Sequence, residues 1–240
     1  MKFFGVLLLA AGTSFAADFA TGQAARLVIG QTTFTAQASG ASDTLVGGVG
    51  GLAFAQDTLF VTDANRVAAA PINHRVLLFK NLSATLPNPT DRLEWTRECP
   101  VCLGTASLVL GQKDFTETAF TFPPVATGFR TPTAVASDGV RLAIADTDNN
   151  RVLLWNSIPI NNQTEPNVVL GQPDFKSSGV AQPPTAKSLR GPQGVWFQDG
   201  KLFVADTVNN RVLIWNSIPT SNGQSADVVV GQPDFGVFVQ

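Results

Sequence analysis

A 60-residue repeat limits, more than any other feature, what this chain can fold into. The string Asn-Asn-Arg-Val-Leu begins at positions 149 and 209, Trp-Asn-Ser-Ile-Pro at 155 and 215, and Gly-Gln-Pro-Asp-Phe at 171 and 231. A looser copy lies upstream, with Asp63, Arg75 and Gly111 at the matching positions. Tandem repetition with this period predicts one supersecondary unit per repeat, with neighbouring units stacked to bury a continuous core.

Each repeat contains four short apolar segments, clearest in the last copy at 194–197, 202–205, 212–215 and 228–230. Segments this short favour strands over helices, and their near-continuous hydrophobicity indicates sheets buried on both faces. Asp-Gly pairs at 138 and 199 predict two-residue hairpin turns, and Asn-Asn pairs at 149 and 209 predict the next tight turn. Three successive hairpins form a four-stranded antiparallel meander, which predicts the radial blades of a β-propeller.

The first repeat is longer than the other two. Asp63 and Arg75 are 12 positions apart, whereas the matching residues of the second copy are 5 apart. A further 16 residues are gained between Arg75 and Gly111, and we place this loop insertion at residues 81–106. Both additions fall between apolar segments, where surface loops tolerate them.

The sequence Asn73-His74-Arg75-Val76 and its later counterparts resemble the core of the NHL repeat. Proteins of this family are β-propellers, usually with six blades, and the resemblance covers about residues 45–235. It implies an all-β propeller of NHL type with four-stranded antiparallel blades. It implies little about activity, because the fold hosts scaffolds, receptors and a few enzymes.

Counting strands predicts about three full blades and one orphan strand. The blades are expected at residues 45–115, 129–175 and 189–235, and the orphan outer strand at 26–31. Three blades and one strand form an incomplete ring. Two explanations remain open: the chain is part of a longer propeller, or protomers associate through the open edges to complete the ring.

Charge and composition exclude one class of partner. The formal net charge is −2, only 14% of residues are charged, and 44% are hydrophobic. The 16 Lys and Arg residues form no run that would attract a phosphate backbone. We therefore expect a folded protein that does not bind nucleic acid.

The N-terminus has the pattern of an export signal. Lys2 precedes an apolar run from Phe3 to Ala11, and small residues follow up to Ala16. This predicts a signal peptide over residues 1–16, a propeller over 17–240 and a secreted or periplasmic location. No later apolar run is long enough to span a membrane.

The loop insertion carries the two cysteines of the chain, Cys99 and Cys102. In an exported protein this pair predicts a local disulfide. Trp95, beside them, has no counterpart in the other repeats, so Trp95 and Arg97 are the candidate binding residues. Their presence in a surface loop is the basis of that prediction.

An acid at the end of each second strand and an arginine at the start of each third strand recur in every repeat. We predict that they hydrogen-bond at the blade turn. His74 occupies the position of an Asn in the later copies and is expected to be a turn residue. Tryptophans within strands, including Trp155, Trp196 and Trp215, are expected to pack between blades. The predicted blade-turn residues are Asp63, Arg75, Asp146, Arg151, Asp206 and Arg211.

Two functions are consistent with this pattern. The first is a secreted, non-catalytic propeller that binds a protein or a glycan; no catalytic residue, metal ligand or cofactor is predicted for it. The alternative is a lyase or lactonase with a metal held in the central channel by acidic or amide side chains from several blades. Acidic residues converging on the channel would favour the alternative.

Overall fold

A computed structural model of the chain describes residues 21–22, 25, 27–64, 72–86 and 104–238. This part of the chain contains twelve strands in three four-stranded sheets, three single-turn 3₁₀ segments and no α-helix. Each sheet is an antiparallel meander whose strands follow one another in chain order. The predicted all-β propeller fold with three full blades is confirmed.

The strands match the predicted apolar segments to within one or two residues. In each blade the first strand lies at one edge of the sheet and the short fourth strand at the other. Blade 1 contains β1 (Val49–Ala55), β2 (Thr58–Asp63), β3 (Arg75–Lys80) and β4 (Leu108–Leu110); blade 2 contains β5 (Pro132–Ser137), β6 (Leu142–Asp146), β7 (Arg151–Trp155) and β8 (Val168–Leu170); blade 3 contains β9 (Gly194–Gln198), β10 (Lys201–Asp206), β11 (Arg211–Trp215) and β12 (Val228–Val230).

Turns connect these strands largely as the sequence indicates, with one exception. Asp199 and Gly200 both have positive φ, as a two-residue hairpin requires. In blade 2, by contrast, Ser137 pairs with Leu142, so the connection contains four residues and the predicted two-residue turn at Asp138-Gly139 is wrong. The Asp138 carboxylate accepts hydrogen bonds from the amides two and three residues later, which closes the wider loop.

Both faces of a blade are apolar, and we call them front and back. The front face of blade 2, with Val135 and Ile144, packs against the back face of blade 1, with Phe60 and Leu78. The back face of blade 2 packs in turn against the front face of blade 3. Because fully burying one such side chain stabilises the fold by about 1.5–3 kcal/mol, stacking of the repeats is the main source of stability.

The tryptophans in the strands differ in burial. Trp155 and Trp215 are buried in the two interblade clusters, as predicted. Trp196 is 62% exposed, so the prediction that it packs between blades is wrong for the described structure. Trp196 lies on the back face of blade 3, against which no described residue is stacked.

The N-terminal part of the described chain adopts the geometry of a blade end. Gly30 has φ +86, close to the values at Gly111, Gly171 and Gly231. An orphan strand is expected at 26–31, and in this region Val28 forms an isolated bridge.

The predicted signal peptide lies outside the described residues. Among the described residues, no helix is long and apolar enough to cross a bilayer.

Candidate functional site

The first strands of the three blades converge on a cavity of about 420 Å³. Strands β1, β5 and β9 each pair with a single neighbour in their sheet, so their other edge is left without a strand partner. This arrangement places the cavity where a propeller has its axis. The lining residues are Gly50, Gly51, Leu52, Ala53, Phe54, Thr133, Ala134, Val135, Ala136, Ser137, Gln193, Gly194, Val195, Trp196 and Phe197.

Two glycines bring β1 close to β5 at this cavity. A Cβ atom at Gly51 would lie 2.8 Å from the carbonyl oxygen of Thr133 and 3.0 Å from the Cα of Ala134. At Gly50 the corresponding distance to the Thr133 oxygen is 3.0 Å. The repeat pattern did not single out these glycines, although Gly51 has a counterpart in Gly194, at the matching position of β9. Their role is to let two strands approach closely.

Hydroxyl groups at the cavity wall are bonded to the scaffold. Thr133 Oγ1 lies 2.6 Å from Thr147 Oγ1, which donates to the carbonyl of Pro192. Ser137 Oγ donates to the carbonyl of Arg141. These bonds hold the wall of the cavity in place. No ionisable side chain occurs among the lining residues.

The structure brings the acid and the arginine of each blade turn together. Arg Nε donates to an Asp oxygen at 2.9 Å in blade 1 and at 2.7 Å in blades 2 and 3. A neighbouring Asn donates to the same oxygen in every blade. All six charged side chains are fully buried. They are Asp63 with Arg75, Asp146 with Arg151, and Asp206 with Arg211.

Each arginine also joins distant parts of its own repeat. Arg151 Nη1 donates to the carbonyl of Phe175, 24 residues later, and Nη2 donates to the carbonyls of Val125 and Gly128. Burial raises the pKa of Asp146, and this rise is opposed by the Arg151 guanidinium and by hydrogen bonds from three N–H groups. The pairs therefore hold the blade together and are not available to bind a metal or a substrate.

His74 connects blade 1 to blade 2. Its Nδ1 accepts a hydrogen bond of 2.9 Å from the amide of Thr131. In the next blade the side-chain oxygen of Asn150 accepts the same bond, also of 2.9 Å, from the amide of Gly191. We call each of these bonds an interblade clasp. The turn role predicted for His74 gave no indication that its side chain reaches the neighbouring blade.

The clasp requires a neutral imidazole. Nδ1 can accept a hydrogen bond only when it carries no proton. Burial lowers the pKa of His74; Asp148 opposes this effect and Arg130 adds to it. The ring also makes an edge contact with Phe120. Acidification is therefore expected to break the clasp.

The free energy of unfolding should decrease as the pH falls below about 6.5, the ordinary His pKa, because the unfolded chain then takes up a proton that the folded chain resists. Each unit by which folding lowers the pKa of His74 corresponds to about 1.4 kcal/mol. This contribution to stability is complete above the pKa that His74 has in the unfolded chain. It is lost as the pH falls through the lower pKa that His74 has in the folded chain. Urea unfolding across this range measures it.

His74→Asn provides the matched control. Asn makes the equivalent clasp at position 150, so the variant should keep the bond while losing the titration. Comparing the two pH profiles removes the effect of the carboxylates common to both proteins. Identical profiles for the two proteins would show that His74 does not contribute.

Several predicted residues lie outside the described part of the chain. They are the binding candidates Trp95 and Arg97 and the predicted disulfide between Cys99 and Cys102. Among the described residues, no group of three or more His, Cys, Asp or Glu side chains could hold a metal ion. The candidate site in the described part of the chain is therefore the axial cavity, whose lining residues carry no recognisable sequence motif.

Comparisons with known proteins give only distant similarities. No protein-family model matches the sequence, and no curated protein does. Hydrazine synthase of Kuenenia stuttgartiensis is similar in structure at 12% identity and a TM-score of 0.40, over 85% of this chain and 40% of that chain. Apo AztD from Citrobacter koseri is similar at 8% identity and 0.33, over 80% and 49%. The chain spans less than half the length of each.

Proposed function

We propose that this chain is an exported, non-catalytic propeller module that binds a protein or glycan segment at its axial cavity. The observation that carries the proposal is the cavity lining, in which every described residue is uncharged. A general acid or base needs a titratable side chain, and metal catalysis needs ligands such as carboxylates or imidazoles. Binding of an uncharged ligand needs neither.

The dimensions and the walls of the cavity suit such a ligand. About 420 Å³ falls within the range of small-molecule pockets, which is about 300–1,000 Å³. The unpaired edges of β1, β5 and β9 offer backbone N–H and C=O groups, which can bond either to an extended peptide or to sugar hydroxyls. Gln193 adds a neutral amide to the lining.

The assignment of this propeller to the NHL family is also a proposal. The Asn-His-Arg-Val string places His74 and Arg75 at the blade turn, where one side chain clasps the next blade and the other pairs with Asp63. This recurrent arrangement supports an NHL-type propeller. The alternative function, a metal-dependent lyase or lactonase, would need acidic side chains at the axis, whereas the acids Asp146 and Asp206 are bonded to arginines at the blade turns.

Titration calorimetry of the purified chain tests the proposed function. The probes are neutral oligosaccharides and uncharged peptides of four to six residues, about the length of one strand. We expect one-site binding that Gln193→Ala weakens severalfold. Gln198→Ala is the matched control, since Gln193 directly precedes β9, whereas Gln198 is its last residue and lies outside the cavity lining.

Two results would contradict the proposed function. One is a lack of binding by both classes of probe. The other is a stoichiometrically bound metal accompanied by lactone hydrolysis or by eliminative cleavage, which would establish the enzyme alternative. Equal binding by the Gln193→Ala variant would place the binding site elsewhere on the molecule.

A further inference from the structure

Thr131 has a backbone conformation that a β-branched residue rarely adopts. Its φ is +54, in the left-handed region, where the Cβ atom crowds the backbone. The equivalent residue at the entry to blade 3 is Gly191, which adopts φ +55 without this strain because it has no Cβ atom. The surroundings of Thr131 must therefore hold it in a conformation that its own preference opposes.

Two hydrogen bonds hold Thr131 in this conformation. Its hydroxyl donates to the Asp148 carboxylate at 2.6 Å, within blade 2. Its amide donates to His74 Nδ1 at 2.9 Å, which is the interblade clasp from blade 1. Protonation of Nδ1 removes the acceptor of the second bond and sets an N–H group opposite the Thr131 amide. The strained conformation then lacks one of its two supports.

Thr131 lies two positions before a residue of the axial cavity wall. That residue is Thr133 of β5, whose hydroxyl lies 2.6 Å from the hydroxyl of Thr147. Thr147 donates to the carbonyl of Pro192 at 2.7 Å, at the entry to blade 3. Pro192 directly precedes Gln193, the neutral amide of the cavity lining. A continuous path of backbone and hydrogen bonds therefore joins the clasp to two residues of the cavity.

We propose that His74, Thr131 and Thr133 form a proton-sensitive relay that reshapes the axial cavity, so that acidification weakens ligand binding there. The effect on binding rests on the function proposed above, whereas the structural change does not. With the clasp intact, Thr131 keeps its positive φ and Thr133 stays bonded to Thr147. With the clasp broken, Thr131 relaxes to negative φ, which turns the start of β5 and displaces the Thr133 hydroxyl.

The charges near His74 set the direction and range of the response. Of the described residues, Asp148 and Arg130 are the charged ones that act on the imidazole from neighbouring elements, and their effects oppose each other. Burial lowers the pKa of His74, so the relay responds below about pH 6.5, the ordinary His pKa. Because linkage is reciprocal, a ligand that prefers the clasped state should lower the pKa of His74 further.

The test is a pH titration of the uniformly ¹⁵N-labelled full chain, followed by NMR. We expect the amide signals of Thr133 and Gln193 to shift with the same midpoint as the His74 ring. The amide of Leu213, buried in blade 3 outside the relay, is the internal reference. The His74→Asn variant keeps the clasp without the titration, so its Thr133 and Gln193 amides should show no shift at that midpoint.

Thr131→Gly tests the contribution of backbone strain. Glycine adopts φ +54 without strain, as Gly191 adopts φ +55, so the start of β5 has no reason to turn when the clasp breaks. His74 should still titrate in this variant, but the cavity amides should shift severalfold less. Cavity amides that do not follow His74 in the parent chain overturn the proposal. An undiminished response in Thr131→Gly also overturns it.

Calorimetry with neutral oligosaccharides and uncharged peptides on both sides of the midpoint tests the effect on binding. The parent chain should bind severalfold more weakly below the midpoint, whereas His74→Asn should bind equally at both pH values. Equal affinity of the parent chain at the two pH values overturns the regulatory role. If no probe binds at either pH while the cavity amides follow His74, the result supports the relay and contradicts only the proposed function.

Discussion

Replacing Arg151 by methionine should lower the free energy of unfolding by about 3–5 kcal/mol, because the change leaves the Asp146 carboxylate buried without its partner. Both side chains are fully buried, and Arg151 Nε lies 2.7 Å from the carboxylate. The substitution also removes the donors to the carbonyls of Phe175, Val125 and Gly128. Urea unfolding followed by circular dichroism measures the loss.

Arg141→Met is the matched control. Arg141 pairs with Asp138 at 2.8 Å, close to the distance in the buried pair, but its side chain is 39% exposed. Exposed pairs contribute only about 0–1 kcal/mol, so this variant should unfold almost like the parent protein. A double change of Asp146→Asn with Arg151→Met should recover part of the loss, since no charge remains buried. If Arg151→Met costs no more than Arg141→Met, the blade-turn pair does not have the structural role described above.

Gly171→Ala is expected to cost about 2–4 kcal/mol, because it combines backbone strain with overpacking. Gly171 has φ +86, and a Cβ atom there would lie 2.7 Å from Leu189 Cβ and 2.8 Å from the carbonyl oxygen of Asn150. The Asn150 oxygen belongs to the backbone and cannot move aside easily. The melting temperature and the urea midpoint should both fall.

Gly179→Ala controls for the loss of a glycine in the connection between blades 2 and 3. A Cβ atom at position 179 would meet no atom within 4 Å, and its φ lies outside the range that strains other residues. That variant should be neutral or slightly more stable. Equal effects of the two substitutions would mean that the Gly-Gln-Pro-Asp-Phe segment is not packed against the blade as described.

The repeat predicted the strand number and order of the blades well, because buried strands give short apolar segments at a fixed period. Asp146 and Arg151 could be paired from the sequence because both recur at constant spacing next to strand ends. The exposure of Trp196 could not be predicted, since a residue's repeat position does not reveal whether a neighbour covers it. The wide turn after Ser137 also escaped prediction, because the bonds of the Asp138 side chain decide the loop length there.

The candidate site was harder to predict than the fold. The axial cavity is formed by the first strands of three different repeats, β1, β5 and β9, which lie far apart in the sequence. Its lining contains no motif. Gly51 is informative only once β5 is known to lie beside it. The partner of His74 is the backbone amide of Thr131, and a backbone group leaves no signature in the sequence.

Face-to-face stacking of the blades is tested most directly at the interblade clasp of His74. The chain has one histidine, so its imidazole signals are unambiguous in the uniformly ¹⁵N-labelled protein. Above the pKa of His74, we expect the proton on Nε2 and a scalar coupling across the hydrogen bond between His74 Nδ1 and the Thr131 amide nitrogen. An uncoupled imidazole whose tautomers average as in a free side chain would contradict the stacking of blade 1 against blade 2.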